Sequence, residues 1–384
     1  MRGKTIRPFT LALLLLALAP SAMAQIASPE VIADYRQRLA EYQAARDAYE
    51  AGASAYWSAI AAKRRGRNAK RREHQPIALD DYVLTQPPVY TGPRRPVNPQ
   101  GEPEPEETPR PRKVIPVVAD LLKAAADYFQ WTPQRPASES DFKRAYAGFA
   151  ARSGLTRDQA VRVYAFETGG NGNHDSQAGL GSWRPGAHAI STAVGYNQLL
   201  TTNSVELIAE QGPLFLRVLG ERAAALSGPA RQAMDAKISV LKKMVALARS
   251  VPDEWSAHEK IGDTPQGWAL HAMVLDIDVG PMLQTYKLLT SVRFARIKGY
   301  DRPLTAAELE MMNLTGDGTG LDMVTMPQDL RVQVPSANFF QRSGYERNPV
   351  ASRHNTVAKL LAITDARMDA NSNLPGAREL AAAF

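Results

Sequence analysis

The sequence predicts an all-α protein. Apolar residues recur at three- and four-residue spacing through most of the chain, and strand-like alternation is scarce. Helix starts are also signposted: Thr156 with Gln159 and Thr305 with Glu308 are capping boxes, in which each side chain satisfies a backbone donor left free at a helix start.

The first 24 residues read as a signal peptide. Arg2, Lys4 and Arg7 make a positive start, Phe9 to Ala19 an apolar run, and Ala22-Met23-Ala24 a cleavage site. Gln25 would begin a mature, periplasmic chain. The run falls short of the roughly 20 apolar residues of a membrane span, so no transmembrane anchor is expected after cleavage. Removing the signal takes away three cations and no acids, and the formal charge falls from +7 to about +4.

Residues 25–85 form an N-terminal region. Ser28-Pro29-Glu30 looks like a helix start, and Val31, Tyr35, Leu39, Tyr42, Ala45, Tyr49 and Ala53 form a stripe along a helix over 28–64. Gly52 is a weak point where the helix could break. A stripe of Tyr and Ala makes a poor core, so this helix is expected to pack on another element or on a helix of an envelope partner. Residues 63–72 carry seven cations in ten. Such a run suits polyanions such as lipid headgroups or acidic wall polymers, or is a solvated tail. Export makes nucleic acid an unsuitable partner.

Residues 86–116 include ten prolines in 31 positions, with an acidic patch from Glu102 to Glu107. Proline removes backbone donors and blocks helices, so this is an extended linker and a domain boundary. Residues 117–384 then read as one helical domain. Helices are expected over 117–129 and 138–151, from 156 to Gly169-Gly170, from Asn203 to a stop at Gly212, and over 236–250. Others are expected over 268–289 with a break at Gly280-Pro281, from Thr305, and over 356–369.

Several chemistries are absent. There is no cysteine, hence no disulfide, thiol catalysis or thiolate metal site. The six histidines lack ligand spacing, and no metal or cofactor is expected. Gly316-Asp317-Gly318-Thr319-Gly320 lacks the Lys-Ser/Thr and the preceding strand of a phosphate loop, and reads as a surface turn that could rim a cleft.

Glu167 is the strongest candidate for chemistry. It ends a predicted helix in Tyr164-Ala165-Phe166-Glu167-Thr168-Gly169-Gly170, among apolar and aromatic neighbours. A glycosidic oxygen leaves poorly until it is protonated, so its cleavage needs an acid that keeps its proton near neutral pH. Burial and the negative end of a helix dipole both favour the protonated form. The following glycines permit a sharp turn and leave room for a substrate chain.

The order of two segments resembles the lysozyme-like superfamily, and within it the lytic transglycosylases. There a helix ends in the catalytic Glu, followed by Ser and a glycine-bearing loop, and an Ala-x-Gly-Leu-Met-Gln type segment comes a few tens of residues later. Here the first segment is Phe166-Glu167-Thr168-Gly169-Gly170 and the second Ala193-Val194-Gly195-Tyr196-Asn197-Gln198-Leu199. The resemblance covers about residues 150–212. It implies a lysozyme-like helical fold and cleavage of peptidoglycan glycan strands between N-acetylmuramic acid and N-acetylglucosamine. Glu167 would be general acid and base, Gln198 would line the sugar groove beside Asn197, Gly195 would allow close backbone approach, and Tyr196 would stack on a sugar. The family's Ala-Tyr-Asn-Ala-Gly type segment has no clean counterpart, and Tyr286 is its substitute. A hydrolase needs a second carboxylate, for which Asp175 is the candidate, whereas a lytic transglycosylase needs one. The alternative is a catalytically silent module that binds peptidoglycan or scaffolds an envelope assembly.

Overall fold

The computed structural model describes residues 28–100, 115–180 and 187–384. The predicted signal peptide, the acidic patch and prolines 103, 105, 109 and 111 lie outside these residues. The protein is all-α, with 69% helix and, among the described residues, β pairing in isolated bridges. None of the described helices is long and apolar enough to cross a membrane.

The chain divides into two compact units, residues 1–54 with 88–112 and residues 55–87 with 113–384. Helix α1 (Pro29–Arg72) runs through Gly52 without a break. In the first unit its tyrosine stripe meets the proline-rich segment. Tyr42 and Tyr49 present ring edges to Tyr90 at 6.3 and 5.5 Å, and the Arg46 guanidinium lies over Tyr90 at 4.9 Å. Tyr90 in turn donates its hydroxyl to the Pro93 carbonyl at 2.7 Å. The stripe thus packs on the chain's own proline-rich segment through Tyr90.

The end of α1 and residues 55–87 belong to the second unit. The basic tract is also more than a solvated tail. Arg64, Arg67 and Arg71 fall on one helix face by their three- and four-residue spacing. Arg67 is fully buried and pairs with Asp322 at 3.1 Å. Its guanidinium lies 4.3 Å from the Tyr82 ring centroid and donates to the Asp81 carbonyl. Arg64 donates to the carbonyls of Asn338 and Phe340, both at 3.0 Å. Asn338 exchanges hydrogen bonds with the Val83 backbone in both directions. These contacts, with Ile60, Tyr82, Phe339 and Leu360, make one of three apolar clusters in this unit.

The remaining helices of the second unit are α2 (Val118–Phe129), α3 (Glu139–Ser153), α4 (Arg157–Thr168), α5 (Thr201–Ala224), α6 (Gly228–Ala248), α7 (Trp255–Gly262) and α8 (Pro265–His271). They continue as α9 (Val279–Ile297), α10 (Ala306–Thr315), α11 (Asp317–Thr325), the short α12 (Gln328–Arg331), α13 (Arg342–Arg347) and α14 (Pro349–Arg353), then α15 (Val357–Ser372) and α16 (Pro375–Ala382). Leu121, Phe215, Leu241, Met273 and Leu283 pack α2, α5, α6, the 272–275 turn and α9 together. Phe142, Tyr164, Leu288, Leu309 and Met368 join α3, α4, α9, α10 and α15. Each such side chain contributes about 1.5–3 kcal/mol on burial. Helix α9 supplies both clusters and is the central post.

Both predicted capping boxes form, at Thr156–Gln159 and Thr305–Glu308. Two breaks fall elsewhere than expected. Helix α5 continues through Gly212-Pro213 to Ala224, because Gly212 sits against Val245 of α6, where a Cβ would come within 2.3 Å. Gly280-Pro281 lies in the first turn of α9, where proline's missing donor costs nothing, and the chain breaks at residues 276–278. The turn expected at 316–320 opens α11.

Removing a partner from a buried ion pair strands the other charge. Arg67→Ala is therefore expected to cost about 3 kcal/mol, read as a lowered urea midpoint of the full chain. Adding Asp322→Ala should cost less than the sum of the two single changes. Additive losses would show that the pair is not the unit of stability.

Candidate functional site: a buried acid pair beside a cleft

Glu167 stands in the last turn of α4, which Gly169 ends in the left-handed conformation at φ 66°. The turn is tied down by the C-terminal helices. Asn371 donates to the Ala165 carbonyl at 3.0 Å, Ala377 N–H to the Gly170 carbonyl at 2.8 Å, and Gly376 N–H to Asn171 at 3.0 Å. Gly170 (φ 79°) lies so close that a Cβ would come within 2.3 Å of the Asn371 carbonyl. The room foreseen there for a substrate chain is filled by the end of α15.

The Glu167 carboxyl instead faces α9 and α10. Asn313 Nδ2 donates to its Oε1 at 2.9 Å. Glu310, one turn earlier on α10 and fully buried, neighbours the Glu167 carboxyl, and the Asn313 amide bridges the two, reaching Glu310 Oε2 at 3.5 Å. Glu310 Oε1 has no N–H or O–H donor among the described residues. Two neighbouring carboxyls in a buried site disfavour double ionisation, so the pair favours a protonated form. Burial pushes Glu167 up to about 7, against the opposing pull of Lys287. Burial, and then the neighbouring Glu167 charge, raise Glu310 well above the usual carboxylate range.

Lys287 of α9 is the counter-cation. Burial lowers its pKa, while Glu167, Glu206, Glu310 and Asp317 hold its proton on. Its ammonium donates to Asn203 at 3.2 Å. Asn203 also accepts the Leu200 N–H that starts α5, so the helix cap and the cation share one amide. Glu206 is raised to about 7, by burial and then by the charge of Glu210. Burial likewise raises Asp317, which accepts the Ser291 hydroxyl.

Above this group lies a cleft of 620 Å³, lined by Asn203, Glu206, Trp255, Lys287, Asn313 and Asp317 among others. Glu167 is partly exposed, and its partner Asn313 forms the adjoining wall. The arrangement can hold an abstractable proton near neutral pH beside a polar groove with one aromatic platform. Among the described residues no group of three or more His, Asp or Glu is placed to hold a metal.

The other predicted residues are placed differently. Residues 194–199 form a tight turn in which Val194 and Leu199 exchange backbone hydrogen bonds. Gly195 (φ 86°) does permit close approach, but by Gln284 of α9, whose Nε2 would lie 2.1 Å from a Cβ. Tyr196 is fully buried, edge-on to Phe142, Tyr146 and Tyr164, with its hydroxyl on Glu139, so it presents no ring to a sugar. Asn197 is also buried, bonded to Tyr146 and to both the backbone and side chain of Gln284. Gln198 (φ 44°) spends its amide on the Ser176 and Gly195 carbonyls. Asp175 pairs with Arg135, while Tyr286 is buried against Phe149 and Phe215. None of these lines the 620 Å³ cleft. Glu310, Lys287 and Asn313 went unnoticed in the sequence. Their only local signal is the Glu310-to-Asn313 spacing on a capped helix, which pairs them on one face.

No protein-family model matches the chain, and no curated protein or solved structure shows significant similarity to it.

A carboxyl raised by the fold confers stability that is complete below its unfolded pKa of about 4.5 and is lost as pH rises through about 7. Wild type should therefore lose stability between pH 5 and 7.5. Glu167→Gln should melt about 2 °C or more above wild type at pH 8, and the difference should vanish at pH 5. Parallel melting curves at every pH would mean that the pair does not hold a proton.

Proposed function

We propose that this protein is an exported glycosidase acting on peptidoglycan, with Glu167 as the general acid. The observation that carries the proposal is the buried Glu167–Glu310 carboxyl pair, bridged by Asn313, beside a polar cleft. A glycosidic oxygen entering past Trp255 would displace the Asn313 amide from Glu167 Oε1 and take the proton in its place. Burial keeps Glu167 protonated until then, and Lys287 stabilises the carboxylate left behind.

Glu310 is too close to Glu167 to serve as the second carboxylate of a two-acid hydrolase, whose carboxyls stand about 5 Å or more apart. For simple hydrolysis Glu206 or Asp317, both on the cleft, would activate water. For transglycosylation the sugar's own 6-hydroxyl attacks, and Glu167 acts as acid and then base. The export signal and the two lysozyme-like segments support peptidoglycan as the substrate and the periplasm as the location.

A second reading is a silent module that binds glycan or scaffolds an envelope assembly. The burial of Tyr196 and Asn197 favours it, because it removes two side chains that the family resemblance would put on the sugar.

Incubating residues 25–384 with purified sacculi and analysing the soluble products by mass spectrometry separates these readings. Anhydro-muropeptides from wild type, absent with Glu167→Gln, are the expected result. Reducing-end products would make it a hydrolase and direct attention to Glu206 and Asp317. No products, with protein retained on the sacculi, would establish the silent module. Activity on sacculi should also fall above about pH 7, as Glu167 loses its proton.

A further inference from the structure

A second, larger cavity of 770 Å³ adjoins the first, and the two share Gly316 and Asp317 in their walls. Its cations are Arg71, Arg72 and Lys298, with His74 beside them. The acids on its wall are already engaged. Asp322 is paired with Arg67 and Arg71, and Asp317 accepts the Ser291 hydroxyl and faces Lys287 in the other cleft. Arg71 is further held by Asn68 at 2.8 Å. The Lys298 ammonium lies over the Phe294 ring at 5.6 Å. Arg72 and His74 are exposed, and no acid pairs with them or with Lys298 among the described residues. Uncompensated cations in a concave wall focus their field on what enters, unlike cations on a convex helix face.

We infer that this cavity is an oxyanion subsite, taking a carboxylate or phosphate carried by the wall polymer whose glycan lies in the Glu167 cleft. The inference rests on the reading of that cleft as a glycan groove and names the substrate as an acidic polymer. The shared wall at Gly316 and Asp317 makes the geometry contiguous: a strand seated beside Asn313 and Asp317 continues across the turn to Arg72 and Lys298. The basic tract therefore has two roles. Arg64 and Arg67 hold the fold, and Arg72 at the helix end turns to the ligand.

Inorganic pyrophosphate is the probe, titrated by calorimetry into residues 25–384 of wild type, Glu167→Gln and the double variant Arg72→Ala/Lys298→Ala. Both substituted residues are exposed, and an unchanged melting temperature confirms that the double variant folds. Wild type and Glu167→Gln are expected to bind equally, and the double variant at least about tenfold more weakly, with binding that declines as salt rises. No binding by wild type, or equal binding by the double variant, overturns the subsite, whatever the outcome for turnover. Retention of Glu167→Gln on sacculi then identifies the anion. Loss after carbodiimide amidation assigns a carboxylate, and loss after hydrofluoric acid stripping assigns a phosphate. Retention unaffected by both treatments overturns the link to the polymer.

Discussion

Three ionisable side chains from three helices share a space that cannot support all of them charged. Glu167, Glu310 and Lys287 lie within one low-dielectric region, where an unshared carboxylate is costly and a lone ammonium equally so. The least costly state keeps one proton on the acids and sets the lysine against the remaining negative charge. That state exists only if α4, α9 and α10 are held in register. Much of the second unit serves this end: the capping boxes that start α4 and α10, the C-terminal helices hydrogen-bonded to the turn after Glu167, and α9 spanning two apolar clusters.

The 193–199 segment fits this picture as a structural joint. Its turn is closed by its own backbone, locked to α9 through Gln284 and to α3 through Tyr196 and Glu139. Burial tends to raise Glu139, but hydrogen bonds from His174 and Tyr196 keep it below the usual range, so an ionised acid anchors the tyrosine. The segment runs directly into α5, whose Asn203 reaches Lys287. A motif whose residue types resemble a sugar-binding loop here sets the position of the helix that forms one side of the cleft.

The basic tract shows how helical periodicity divides one run of like charges. Seven cations within ten residues would repel strongly if all pointed to solvent on a free helix. Docked in the second unit, Arg64 and Arg67 are neutralised by carbonyls and by Asp322, and Tyr82 and Phe339 cover the Arg67 guanidinium. Arginine suits this position because its planar fork serves several acceptors and an aromatic face together.

The sequence by itself determined the helical class, both capping boxes, most helix cores and the place of Glu167 at a helix end, because these depend on contacts three or four residues apart. It also singled out the tyrosine stripe and the cation run, but not what either packs against. Only the tertiary structure decided that α5 passes through Gly212-Pro213, that Tyr196 and Asn197 are interior, and that Glu167 pairs with Glu310 under Lys287. Glu167 and Glu310 are 143 positions apart in the chain. No local pattern encodes that separation: it follows from how α4, α9 and α10 bury their apolar faces, and the raised pKa values of the two acids are a consequence of that burial.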